Sequence, residues 1–273
     1  MTLPVAILLG IVQGLTEFLP ISSSGHLRLM QSAFGITEPQ TFFDVSLHLG
    51  TLLATVVVFA GPLLGAVKGG LRWVGRKADL DTDEDARLAL LLVVGCVPTA
   101  LIGLTLGPYF ETSFSSPTHV GGLLILNGFL LQVTRGRGAE GVGRSAGETR
   151  WRDALWIGFA QGFAILRGIS RSGTTISTAL LLGINRETAA RLSFLLSIPT
   201  ILGALLLQWS GLPAGVDIAL SAWVVGVAVS FGVGYVALRF LLVVVERGAF
   251  HRFAPWCWIV GIIALTSRWW GAG

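Results

Sequence analysis

The sequence predicts an all-α polytopic membrane protein of six transmembrane helices and two re-entrant helix–loop–helix hairpins, arranged as two repeats of inverted topology. Three observations carry this. The 273-residue chain is 53% hydrophobic and 12% charged, about half the charged fraction of a soluble domain, and its mean hydropathy is +0.75. One segment occurs twice at a constant offset of 148 positions: GIVQGLTEFLPISSSG at 10–25 and GFAQGFAILRGISRSG at 158–173. Lysine and arginine gather in alternate connections between apolar stretches, the bias that orients membrane helices.

Two apolar regions, 3–35 and 153–184, are each interrupted in the middle, at Leu19–Gly25 and at Arg167–Gly173. Each half is roughly 14 residues, too short for a hydrocarbon core of about 30 Å at about 1.5 Å per residue. Both regions therefore read as re-entrant hairpins. Full spans are predicted at 41–62, 87–108, 118–134, 188–209, 217–238 and 254–271. Repeat one covers 1–134, a linker 135–152 and repeat two 153–273.

The connections 63–86, 135–152 and 239–253 carry clusters of basic residues, and 109–117 and 210–216 hold no Lys or Arg. Alternation places the basic regions in the cytoplasm. Both termini and the opening of the first hairpin then face outside, and the second hairpin enters from inside. Three full spans separate the hairpins, an odd number, so their tips can meet as in folds whose broken helices build a site at mid-membrane. The pI near 9.7 follows from these loops, so no nucleic-acid partner is expected. The acidic run DLDTDED at 79–85 reads as a solvated face capping the next helix. GRGAEGVGRSAG at 136–147 reads as a flexible linker, and 239–252 as a short interfacial amphipathic helix. Cys96 and Cys257 lack metal-ligand spacing and read as packing residues. The N-terminus has no basic n-region and leads straight into the first repeat, unlike a normal signal peptide.

Ionisable groups at membrane depth are costly and point to function. Glu17, His26, Arg167 and Arg171 stand out. Gln13 and Glu17 are one helical turn apart and share a face, and His26 opens the half-helix after the serine loop. A Glu17–Arg171 pair that only locks the hairpins together is the bland alternative. The loops SSSGH and SRSGTT each offer hydroxyls, glycine-permitted turns and a helix N-terminus, which binds phosphate well, and an arginine adds a bidentate cation. Together they suit pyrophosphate. Glu17 and Gln13, with hydroxyls, suit a Mg²⁺ or Ca²⁺ ion bridging the phosphates.

QGLTEFLPISSSGHL with GISRSGTT resembles the bacitracin-resistance (BacA/UppP) family of undecaprenyl-pyrophosphate phosphatases. FFDVSLHLGTLLA at 42–54 and SFLLSIPTILGA at 193–204 resemble it too, and the likeness runs over essentially the whole chain. It implies hydrolysis of undecaprenyl pyrophosphate to the monophosphate, recycling the lipid carrier of cell-wall synthesis at the outer face of the bacterial cytoplasmic membrane. It carries Gln13, Glu17, Ser22, Ser23 and His26 onto the family's first motif. Gly168, Ser170, Arg171 and Ser172, with Thr175 following, fall on its second. Ser24, Gly25, Gly173 and Thr174 complete the expected substrate loops.

Arg171 and nearby backbone N–H groups are then expected to hold the phosphates. Glu17, helped by Gln13, would hold a cation or orient the nucleophile. His26 would be general base or covalent nucleophile, with Ser23 and Ser170 as alternative nucleophiles. Two departures stand out. Gln13 is uncharged where many members have Glu, and Arg167 replaces the usual Pro, so Arg167 either adds a phosphate contact or snorkels to the vestibule. The expected partners are a long-chain prenyl pyrophosphate lipid and the membrane, with a homodimer left open.

A flippase for the monophosphate could use the same cradle, but a carrier has no need of a Glu–His pair beside it. Type-2 phosphatidic-acid phosphatases need a His five residues after their Ser-Arg pair and an Asp soon after. The corresponding positions here are Ser177 and Leu181, which excludes that class.

Overall fold

The structure is a computed structural model that describes residues 2–34, 41–114, 116–138, 142–209 and 220–266. Among these residues the chain is all-α, with eleven α-helices and two short 3₁₀ turns. Helices α1 (Leu3–Phe18) and α2 (Ser23–Ala33) are separated by a break, and so are α7 (Trp151–Phe163) and α8 (Arg171–Leu181). Between and after them run α3 (Thr41–Val58), α4 (Ala60–Val74), α5 (Glu84–Ser113), α6 (Pro117–Gln132), α9 (Arg186–Trp209), α10 (Leu220–Glu246) and α11 (Ala254–Thr266).

Three helical stretches are long and apolar enough to cross a membrane, Glu84–Phe110, Arg186–Leu207 and Leu220–Glu246, and a fourth crossing is possible if α3 and α4 form one bent span. The protein is therefore a multi-pass membrane protein. The expected span 41–62 does not run straight: the chain bends by 79° between α3 and α4. The first half of the expected loop 63–86 belongs to the helix α4 instead. Its basic residues suggested a connection, yet Leu63, Leu64, Val67, Leu71 and Val74 recur at helical spacing. Gly65 and Gly69 let α4 settle against Asp85 and Ala86 at the start of α5.

Span 118–134 becomes α6, a helix of 16 residues. The expected interfacial helix 239–252 is not separate. Helix α10 continues into it as far as Glu246, the chain turns at Gly248 with φ +67°, and a 3₁₀ turn at Phe250–Phe253 leads into α11. The connection 210–216 and the end of the last expected span lie outside the described residues.

The acidic run behaves as read. Asp83 caps α5, its Oδ1 accepting the Ala86 N–H at 3.0 Å while Arg72 binds both its oxygens. The Ala86 N–H, then Arg72, hold its carboxyl below the usual range. The linker is less free than its glycines suggest, because Arg144 grips both carboxylate oxygens of Asp153 and donates to the Leu182 carbonyl at 2.8 Å.

Helix packing follows small residues. Gly10 and Gly14 of α1 face Gly226, Ser230 and Gly234 of α10, and a Cβ at Gly14 would stand 2.9 Å from the Ser230 carbonyl. Apolar side chains gain little by leaving lipid, so such backbone-to-backbone approach is what drives helix association in a membrane.

Candidate active site

Both breaks end in a serine N-cap. Ser22 Oγ accepts the Gly25 N–H at 3.3 Å and Ser170 Oγ accepts the Gly173 N–H at 3.0 Å. The repeat offset holds at this level: α2 and α8 start, end and are capped at positions 148 apart. A capping serine satisfies one of the free N–H groups of the first turn and leaves others for a ligand.

The two breaks pack directly on each other. The Gly168 N–H donates to Ser22 Oγ at 3.1 Å and Ser172 Oγ donates to the Phe18 carbonyl at 2.9 Å. Gly168 has φ +115°, and a Cβ there would lie 2.7 Å from the Val120 carbonyl oxygen. Only glycine permits this backbone conformation and this approach. Asn127 of α6 joins the breaks from behind. Its amide donates to the Pro20 carbonyl at 2.8 Å, and its oxygen accepts the Ser170 N–H at 3.0 Å. Cys257 is fully buried against the same amide, in keeping with a packing role.

Glu17 is the hub. Its Oε1 accepts from Arg171 Nη2 at 2.6 Å, and its Oε2 accepts from Gln13 Nε2 at 3.0 Å and from Ser23 Oγ at 2.7 Å. His48 Nε2 of α3 lies 3.5 Å from the same Oε2, and its Nδ1 donates to the Asp44 carbonyl at 2.7 Å. Two polar atoms at this hub are buried without a partner: Arg171 Nη1 and Gln13 Oε1. A guanidinium N–H buried and unpaired is expensive and marks where an anion would sit. Around Arg171, Thr175 Oγ1 donates to its carbonyl, and Thr174 Oγ1 to that of Ser170. Ser170 Oγ and Ser172 Oγ are 3.1 Å apart.

The structure thus unites Gln13, Glu17, Ser22, Ser23, Gly25, Gly168, Ser170, Arg171 and Ser172, with Gly173, Thr174 and Thr175 in the first turns of α8. Ser24 is partly exposed in the first turn of α2. His26 turns the other way: Nδ1 bonds the Ser22 carbonyl at 2.9 Å, and Nε2 accepts the Trp256 indole N–H at 3.0 Å. Arg167 is half-buried and, among the described residues, makes no hydrogen bond or ion pair with the hub. His48, Asp44 and Asn127 are site residues that the sequence reasoning did not select.

The profile of the family described as bacitracin resistance protein BacA matches residues 6–263. This chain belongs to the BacA family. Relatives of similar sequence include the undecaprenyl-diphosphatase of Desulfosudis oleivorans, 50% identical over 269 residues that cover 95% of this chain and 96% of the relative. That of Desulfatibacillum aliphaticivorans is 44% identical over 96% of this chain and 97% of its own. That of Korarchaeum cryptofilum is 42% identical over 96% and 97% respectively. In this BacA-family chain the hub is built around a single carboxylate, since Gln13 serves Glu17 as an amide donor.

Proposed function

We propose that this chain is an undecaprenyl-diphosphatase, an integral-membrane hydrolase that cleaves undecaprenyl pyrophosphate to undecaprenyl phosphate and phosphate. It would thereby return the lipid carrier to cell-wall synthesis. The observation that carries the reading is Arg171: one nitrogen is anchored on Glu17, the other is buried and unpaired beside the N-terminus of α8. That arrangement presents an oriented cation to a phosphate group. Phosphoryl transfer needs chiefly such charge and an in-line oxygen.

In this reading Arg171 and the N–H groups of α8 bind the pyrophosphate. Glu17 orients the attacking oxygen, either Ser23 Oγ, which donates to it at 2.7 Å, or a water bonded in its place. His26, with Nδ1 committed to the Ser22 carbonyl, would act as the general base through Nε2 once the Trp256 indole N–H, which now donates to it, has left. Among the described residues no three His, Cys, Asp or Glu side chains converge on a metal position. The unpaired Gln13 Oε1 beside the Glu17 carboxylate nevertheless suits a hard divalent cation that draws further ligands from the substrate. Glu17 and Gln13 would hold it, and it would supply charge to the phosphate oxygens. Turnover is then expected to fall on chelation.

The test is phosphate release by purified His26→Ala from a long-chain prenyl pyrophosphate. A loss of at least about 10²-fold with the fold intact is expected, as for removal of a general base. Near-normal hydrolysis would remove His26 from the mechanism.

The same reading takes the two helix–break–helix units as re-entrant hairpins of inverted repeats in the cytoplasmic membrane, with both termini outside. The shared offset of their caps supports it, and so does their packing: α1 lies on α10 of the other half as α7 lies on α5. A cysteine at Arg137 is expected to react with an impermeant maleimide only after the membrane is opened. Labelling of intact cells would reverse the orientation.

A further inference from the structure

Trp256 lies on α11, far in sequence from both motifs, and has no part in the chemistry above. Its indole N–H donates to His26 Nε2 at 3.0 Å, and the two rings are parallel within 10° at a centroid distance of 6.2 Å. The other ring nitrogen, Nδ1, bonds the Ser22 carbonyl. A carbonyl only accepts and an indole N–H only donates. The two bonds therefore define one state of His26: neutral, with the proton on Nδ1 and the lone pair on Nε2. That is the tautomer a base needs, but its lone pair is already taken. Nε2 can accept a proton from the reaction only after the indole N–H has left.

The surroundings suit such a contact. Ala254 and Cys257, on either side of Trp256, are fully buried, and Cys257 is bonded to Asn127, so the backbone of α11 is held next to the site. The Trp256 side is 51% exposed, which leaves the indole room to swing outward.

We infer that Trp256 is a cover for His26: the Ser22 carbonyl fixes the proton on Nδ1, and the indole N–H occupies the Nε2 lone pair until it swings aside. This rests on the proposed role of His26 as base, and the test separates the two claims. Diethyl pyrocarbonate acylates an unprotonated imidazole nitrogen whose lone pair is free. Its rate at His26, read by peptide mass spectrometry, reports the cover whether or not His26 is catalytic, and His26→Ala reports catalysis alone.

Trp256→Phe keeps an aromatic ring and removes the N–H. Labelling of His26 is expected to quicken by at least about 3-fold, with labelling of His48, His119 and His251 unchanged. The kcat/KM for the prenyl pyrophosphate is expected to rise about 2- to 10-fold, the factor corresponding to one neutral hydrogen bond. Trp256→Leu, which also lacks the N–H, should quicken the labelling equally. An unchanged labelling rate at His26 in both variants would overturn the proposal. So would faster labelling with a fall in turnover, because the indole would then assist the base rather than cover it.

Discussion

Arg171→Ala and Glu17→Ala are each expected to lose at least about 10²-fold in turnover, the scale of removing a charge-stabilising group from an active site. The two side chains are 15% and 6% exposed and joined at 2.6 Å. Removing one partner leaves the other charge buried and uncompensated, a cost of about 3–5 kcal/mol in proteins studied in water. Each single variant should therefore also unfold at a lower temperature. The double variant Glu17→Gln/Arg171→Met separates catalysis from the bland alternative of a mere lock. It carries no buried charge, so its stability should recover while turnover stays absent. Turnover restored along with stability would reduce the pair to a structural clasp.

Asn127→Leu is expected to be the most destabilising single change outside the charged hub. Leucine suits this apolar helix, but it strands the Ser170 N–H and leaves the Pro20 carbonyl only the weak Cys257 S–H donor at 3.7 Å. A buried backbone N–H left unpaired costs about 1–3 kcal/mol. Because Pro20 and Ser170 belong to opposite breaks, the tips should also drift apart and turnover should fall. Thermal unfolding in detergent, run beside the hydrolysis assay, reads both effects. A melting temperature equal to that of the parent would show that the breaks hold together without Asn127.

The broken helices were legible in the sequence because a repeated Gly- and Ser-rich interruption in apolar sequence has few other readings. The contact of Glu17 with Arg171 was foreshadowed by the two copies carrying opposite charges, Glu17 in one and Arg171 in the other. His48 and Asp44 were equally visible, since both are ionisable residues inside an apolar stretch, the rule that selected Glu17. The bend after Val58 was hidden because α4 combines basic residues with a helical apolar stripe, and its charges looked like a loop. Asn127 and Trp256 gave no signal, since a lone Asn or Trp in an apolar segment becomes meaningful only when a distant partner is known. Pro20, Ser170 and His26 are such partners, and all three lie far from them along the chain.

The most direct measurement is inorganic phosphate released when the purified protein is incubated with undecaprenyl pyrophosphate, with Arg171→Ala as the control. A stoichiometric yield of phosphate and undecaprenyl phosphate, lost in the variant, is the expected result. Intact pyrophosphate lipid after prolonged incubation with a folded protein, or equal release by Arg171→Ala, would contradict the account.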